Sequence, residues 1–463
     1  MSQSDNHTYV YSELSADDKG NYNIDPSKLQ YHSGFNNTFI SEALVHSVPV
    51  GQNNPQKCPY NTYAEQLSGT SFTTPRAHNR RTWLYRIIPT CVHQPYQLLS
   101  SEQSKYISTE FTSIKSAKSI TPNQLRWLPA EFPRDPTTFL QGIHTVCSSG
   151  TPEQKSGLAI HIYTCNQSMI NTAHVNNDGD YLIVPQQGNL TIRTEFGILH
   201  VQPREICVIQ RGMTFSVSVS GDTRGYILEV YNSHFELPEL GPIGANGLAN
   251  ARDFGAPHAS YENNTQHYNI INKYANQFYH TVRDCSPYDV VGWHGNYVPY
   301  KYDLNKFCPA GAVLFDHMDP SIFTVLTCAS DTPGVAVADF VIFPPRYAVQ
   351  EHTFRPPYYH RNVMSEYMGN ICGSYEAKQG AFLPGGASLH SCGIGHGPDR
   401  ATFDKASTEQ QVPVRMPDHS LSFMFETTYM LETSEYAMVA ERLDVDYYKC
   451  WEPLQRNFTP NQI

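Results

Sequence analysis

Between residues 158 and 231 the chain repeats one pattern: short apolar or alternating runs, each closed by Gly, Pro or Asp within a few residues. The runs at 181–184, 190–193, 198–201, 206–209, 215–219 and 226–230 are too short for helices, and their spacing is regular. Runs of this length, rich in β-branched and aromatic residues and separated by turn formers, predict strands. A strand that buries one face must pair with neighbours, so close spacing predicts an antiparallel sandwich or barrel. Composition agrees where it bears on this point. Charged residues make up only 16% and aromatics 12%, and the 32 prolines and 29 glycines are scattered, as in a turn-rich β protein.

The order of Gly and Pro between the runs (GNL, GIL, VQPRE, RGM) resembles the cupin type of jelly roll. The histidines of this region, His161, His174 and His200, stand singly among strands and turns, and we read them as structural. Residues 234–280 are polar and loop-rich, with a helix predicted near 272–279. A second β-rich set follows, at 313–316, 322–327, 334–343 and 421–427. The expected organisation is a flexible leader over 1–28, an N-terminal cupin-like β domain over 29–305 and a C-terminal domain over 306–463. The fold class is mainly β, a cupin-like jelly-roll β-sandwich.

The formal net charge is −11 and no run of Lys or Arg occurs, which argues against nucleic acid or an anionic membrane as partner. Eleven cysteines at irregular intervals, with no C-x-x-C pair, fit buried free thiols better than a disulfide framework or a zinc cluster. With a polar N-terminus and no apolar window long enough for a membrane span, the expectation is a soluble cytoplasmic protein acting on a small molecule.

The chemistry concentrates after residue 300. In YYHRNVMSEYMGN (358–370), His360 and Glu366 lie six apart. On a strand an even spacing points both side chains to one face, whereas on a helix they diverge. The prolines at 356 and 357 favour extended backbone just upstream. A third ligand is available in GGASLHSCGIGHGPD (385–399), from His390 or His396. Two histidines and a carboxylate form the facial triad of non-haem Fe(II) oxygenases, which leaves adjacent positions open for substrate and O2. The same donors also describe a catalytic zinc site, and spacing does not choose between the metals. A bland reading, in which His360 and Glu366 are loop decoration, is favoured by spacing alone. His317, in LFDHMDPSIF (314–323), fits an acid/base group or a capped turn, and Tyr375 fits a hydrogen-bond donor to a substrate oxygen.

Long strings of this sequence, in order, resemble one family. They include GQNNPQKCPYNTYAEQLSG (51–69), NRRTWLYRI (79–87), DGDYLIVPQQGNL (178–190), VGWHGNYVPYKY (291–302), FRPPYYHRN (354–362), YEAKQGAFLPGGASLHS (375–391) and KCWEPL (449–454). The resemblance, from about 30 to about 460, is to the homogentisate 1,2-dioxygenases. It implies a ferrous ion and an enzyme that opens the ring of homogentisate with O2 to give maleylacetoacetate, in tyrosine and phenylalanine breakdown. It also implies a homohexamer built as a dimer of trimers. Position by position it implies iron ligands at His360, Glu366 and His396, a catalytic histidine at His317, and substrate contacts from Tyr375 and His396. It places His390 beside the site without making it a ligand. The chain departs from the family's pattern at Cys372 and Ser374, where arginine and histidine are usual, and at Gly395, where proline is usual.

Overall fold

The expected runs between 181 and 230 form strands Asp180–Gln187, Leu190–Thr194, Gly197–Val201, Glu205–Ile209, Thr214–Ser218 and Thr223–Val230. They belong to a computed structural model that describes residues 13–99, 105–111, 119–244, 246–311, 313–375, 382–439 and 441–460. By internal contacts the chain divides into two units. The first comprises Met1–Lys115, Glu131–His234 and Asn250–Lys306, and the second Ser116–Ala130, Phe235–Ala249 and Phe307–Ile463.

The first unit holds two large sheets. One runs, in spatial order, Tyr31–Ser33, Phe254–Pro257, Tyr300–Asp303, Glu205–Ile209, Asp180–Gln187, Thr223–Val230, Ser156–Cys165 and Ile143–Thr151. The other runs Gly197–Val201, Leu190–Thr194, Thr214–Ser218, Thr172–Asn176, Tyr268–Tyr274, Gln277–Arg283 and Gln97–Leu98. Alternate residues of both sheets, among them Tyr181, Ile183, Ile227, Ile192, Phe215 and Ile271, meet in one buried core. The central strands are buried along nearly their whole length, on both faces, which is why they read as continuous apolar runs.

Three expectations are corrected. The helix expected near 272–279 is a hairpin of Tyr268–Tyr274 and Gln277–Arg283, closed by Ala275 and Asn276 at φ +50° and +58°. Both backbone N–H groups of that turn donate to the buried Asp178 carboxylate, at 2.6 and 2.9 Å, a contact from far along the chain that no local pattern announces. The strand expected at 313–316 is absent among the described residues there. Asp316 has φ +62°, and its N–H donates to Thr353 Oγ1, so the segment is a loop. Of the leader expected over 1–28, residues 1–12 lie outside the described residues, and the remainder is anchored. Leu14 N–H donates to the Tyr261 carbonyl, the Tyr22 hydroxyl donates to Glu262, and the Gly20 carbonyl accepts from Ser218. These anchors are polar and individually placed, so they leave no hydrophobic period to read.

The histidines read as structural are so engaged. His161 lies between Thr145 and Glu229, His174 contacts the Ile271 carbonyl, and His200 sits beside Thr191. Around His161 runs a buried network in which Lys273 Nζ donates to Asp178 (2.7 Å) and to Glu229 (2.8 Å), while Asn176 donates to Glu229.

The second unit is built on one seven-stranded antiparallel sheet. In chain order its strands are β1 (Leu125–Trp127), β2 (Phe235–Glu236), β3 (Thr324–Ala329), β4 (Ala336–Phe343), β5 (Ser365–Cys372), β6 (Ala387–His390) and β7 (Leu421–Thr427). Their spatial order is β2-β3-β4-β7-β5-β6-β1. Register places Leu326, Phe340, Phe425, Tyr367, Leu389 and Leu125 side by side across six strands. Every member of this rung is buried. One residue along each strand, where side chains point to the opposite face, the adjacent rung is polar: Thr327, Asp339, Glu426, Glu366 and His390. The next rung on that second face is Val341, Met424, Met368, Ser388 and Arg126. One face of the sheet is therefore core, and the other carries chemistry.

Candidate metal centre

A cavity of about 320 Å³ lies over the polar face of this sheet. Its floor includes Glu426, Glu366 and His390 from the polar rung, and Met424, Met368, Ser388 and Arg126 from the next. Loops complete its walls with His317, Tyr358, His360, Asn362, Tyr375 and His396. The cavity thus brings together every residue that the sequence analysis proposed for the site.

Glu366 is held on β5 by ladder pairing on both sides, to His390 and to Glu426. His360 and His396 come from two loops that clasp each other through reciprocal backbone bonds. His360 N–H donates to the His396 carbonyl at 3.0 Å, and His396 N–H returns the bond at 3.1 Å. Extended backbone at His360, expected from the double proline, is what allows this bridge.

The imidazoles are oriented by their far nitrogens. His360 Nδ1 donates to the Tyr358 carbonyl (2.8 Å), and His396 Nδ1 donates to the Ile394 carbonyl (3.0 Å). A carbonyl can only accept, so each Nδ1 carries a proton and each neutral ring offers its Nε2 lone pair. Those lone pairs face the Glu366 carboxylate, with His360 Nε2 at 3.3 Å from one oxygen and His396 Nε2 at 3.0 Å from the other. Three groups that in these forms only accept therefore converge, their ligand atoms all within 4.8 Å of one another. Such a convergence needs either a second proton on the rings or a cation. Ligands roughly 2.1 Å from a metal in adjacent octahedral positions stand about 3.0 Å apart, close to these separations. The donor set fits a divalent metal with open positions.

Burial opposes ionisation of Glu366, but where the rings carry the second proton, hydrogen bonds from His360 and His396 and the charges of His396 and His390 outweigh it, holding the carboxyl well below its usual range. The hydrogen bond to Glu366 raises the pKa of His360 despite partial burial. His390, stacked on His396 with centroids 4.1 Å apart, has Nε2 2.9 Å from the Tyr447 hydroxyl and Nδ1 4.0 Å from Glu366. It braces the ring of one donor and lies just outside contact with the carboxylate. His317 Nε2 lies 3.1 Å from the Phe354 carbonyl, which leaves its Nδ1 with the lone pair in the neutral ring.

Three cavity residues escaped the sequence analysis. Asn362 donates to Glu366 at 2.6 Å and fixes the carboxylate plane. Glu426 stands beside Glu366 in the polar rung, and burial, then the neighbouring Glu366 and Asp339 charges, push its carboxyl up to about 7. Its signal was legible in LSFMFET, where one acid interrupts an apolar strand. Arg346, from the loop after β4, left no local signal.

A family model described as "Homogentisate 1,2-dioxygenase N-terminal" matches residues 30–304, and one described as "Homogentisate 1,2-dioxygenase C-terminal" matches residues 305–458. The chain is similar to the homogentisate 1,2-dioxygenase of Homo sapiens, at 55% identity over 94% of this chain and 98% of the relative. It is similar also to that of Caenorhabditis elegans, at 53% identity over 93% of this chain and 98% of the relative. Among solved structures, a mutant of the Bacillus subtilis oxalate decarboxylase OxdC aligns at 11% identity with a TM-score of 0.28, covering 68% of this chain and 80% of that one.

Proposed function

Because the chain belongs to the homogentisate 1,2-dioxygenase family, we propose that it cleaves the ring of homogentisate (2,5-dihydroxyphenylacetate) with O2 to give maleylacetoacetate, at a ferrous site held by His360, Glu366 and His396. The observation that carries the residue assignment is the convergence of two Nε2 lone pairs and one carboxylate, each aimed by a bond behind it. Bound Fe(II) supplies the one-electron chemistry that lets O2 react with an aromatic ring.

The chain supplies position and proton control. The cavity is roomy enough for one substituted ring, and its Phe323, Phe343, Met368 and Met424 walls exclude water from around it. His317 is the acceptor for a phenol proton, because its Nε2 is committed to Phe354 and Nδ1 retains the lone pair. Tyr375, packed on Phe343 and Phe382, donates a hydrogen bond to a substrate oxygen and fixes the ring's orientation. His390 holds the His396 ring in plane through stacking. A domain boundary near 305, assembly as a homohexamer and a cytoplasmic setting belong to the same reading.

The test is anaerobic loading with Fe(II), then homogentisate, then air, with O2 uptake and the absorbance of maleylacetoacetate followed together. Stoichiometric uptake with product is expected. An iron-loaded, folded protein that forms no product would sink the proposal, and hydrolytic activity with zinc in its place would redirect it.

A further inference from the structure

Beside the main cavity lies a smaller one of about 100 Å³. The two share Phe343, Arg346 and Tyr375, which therefore form the partition between them. The main cavity is apolar along this wall. Rings follow one another from Phe323 to Phe343 (6.1 Å), Tyr375 (5.8 Å) and Phe382 (6.0 Å). Beyond the partition the annex is edged by Ser374, Ser420 and Ser422 together with Pro344, Met416, Pro417 and Leu421.

Two guanidinium groups bracket the aromatic wall. Arg126 lies over the Tyr447 ring at 3.9 Å and is 4% exposed, held on β1 in the floor. Arg346 lies over Phe323 at 5.0 Å, donates to the Pro344 carbonyl at 3.3 Å, and is half-buried. Of the two, only Arg346 faces both cavities. A guanidinium between an aromatic slot and a small annex suits a ligand whose ring carries a short arm ending in an anion.

We propose that the annex is the subsite for the carboxymethyl arm of the substrate, with Arg346 as the charge partner of its carboxylate. This rests on the function proposed above and adds the residue that selects a ring bearing an acidic side chain over a neutral hydroquinone. Arg346 is a specificity residue: it pairs with the carboxylate at the end of the arm and takes no part in opening the ring bond at the arm-bearing carbon, so its loss weakens binding more than turnover.

The experiment compares homogentisate with its neutral amide, 2,5-dihydroxyphenylacetamide, on the iron-loaded full chain. It measures kcat and KM by O2 uptake and Kd by anaerobic titration. In the unchanged protein the acid is favoured, and Arg346→Gln lowers kcat/KM for the acid by roughly 10- to 100-fold, chiefly through KM, while the amide changes less than about threefold. Arg346→Lys, which keeps the charge, recovers part of the preference. An unchanged protein that takes acid and amide equally overturns the proposal without any variant. So does an Arg346→Gln protein that loses both substrates alike, or a selective loss found in Arg126→Gln and not in Arg346→Gln. If the unchanged protein binds homogentisate but does not consume O2, the proposed reaction fails, and the ratio of the two Kd values still decides the subsite.

Discussion

Glu366 accepts from Asn362 and sits between two imidazoles, so its replacement removes the one negative charge that offsets a bound cation. Glu366→Ala and His396→Ala are expected to lose iron, read by metal content after dialysis. His317→Ala is expected to keep iron and lose turnover by roughly 10²- to 10⁴-fold, the usual range for a proton-transfer group. Iron loss in that variant would show His317 to be structural instead. The buried network of the first unit gives a second residue-scale case. Lys273 is the shared partner of Asp178 and Glu229, all three almost wholly buried. Lys273→Met strands two carboxylates and is expected to cost about 3–5 kcal/mol in chemical denaturation. A loss under about 1 kcal/mol would mean that the carboxylates are satisfied otherwise. The donors on 358–370 were visible as types and spacing, and spacing left His390 and His396 as rivals. What separated them in space was the backbone clasp between His360 and His396, a contact between distant loops that no local pattern encodes.

Strands were the most legible elements, because a buried strand shows as a short apolar run closed by turn formers. The misread hairpin at 268–283 shows where such reading stops. Its strands YNIINKY and QFYHTVR alternate imperfectly, and its two-residue turn lacks the Asn-Gly or Gly-Gly signal of a left-handed turn. The conformation is imposed by Asp178 from a distant loop. Ala275, at φ +50°, bears the strain of this arrangement. Ala275→Gly therefore relieves a left-handed alanine costing about 1–2 kcal/mol and adds part of that back as chain entropy, for a net gain of about 0.5–1 kcal/mol. Thermal unfolding should move upward, and a fall would show that the turn relaxes without strain. Glu426 marks the opposite case, an element read correctly whose informative residue was passed over, because a single acid in a strand looks like any surface position until its neighbours are known.

For the molecule as a whole, acidity should be the more damaging direction. Burial pushes His174 down to about 4 from 6.5, so the folded chain keeps it neutral while the unfolded chain takes up a proton below 6.5. Stability from this group is complete above pH 6.5 and is lost as pH falls to about 4, a difference on the order of 3 kcal/mol. Glu229 acts further down. Burial would raise its carboxyl, but Lys273 and His161 hold it at about 2, so its contribution is present above its ordinary 4.5 and declines as pH falls toward 2. The midpoint of thermal unfolding should drop between pH 6.5 and 4, and His174→Gln should flatten that drop. A profile identical to that of the unchanged protein would show that the histidine takes up its proton alike in the folded and unfolded states.

The two neighbouring rungs of the seven-stranded sheet have a consequence for inheritance. Leu326, Phe340, Phe425, Tyr367, Leu389 and Leu125 never touch the cavity, yet they act as its phase marker. If β7 slid by one position, Phe425 would enter the chemistry and Glu426 the core. Harmful changes should therefore accumulate at bulky residues behind the sheet, where a chain can stay folded and still present the wrong half of its alphabet to the substrate.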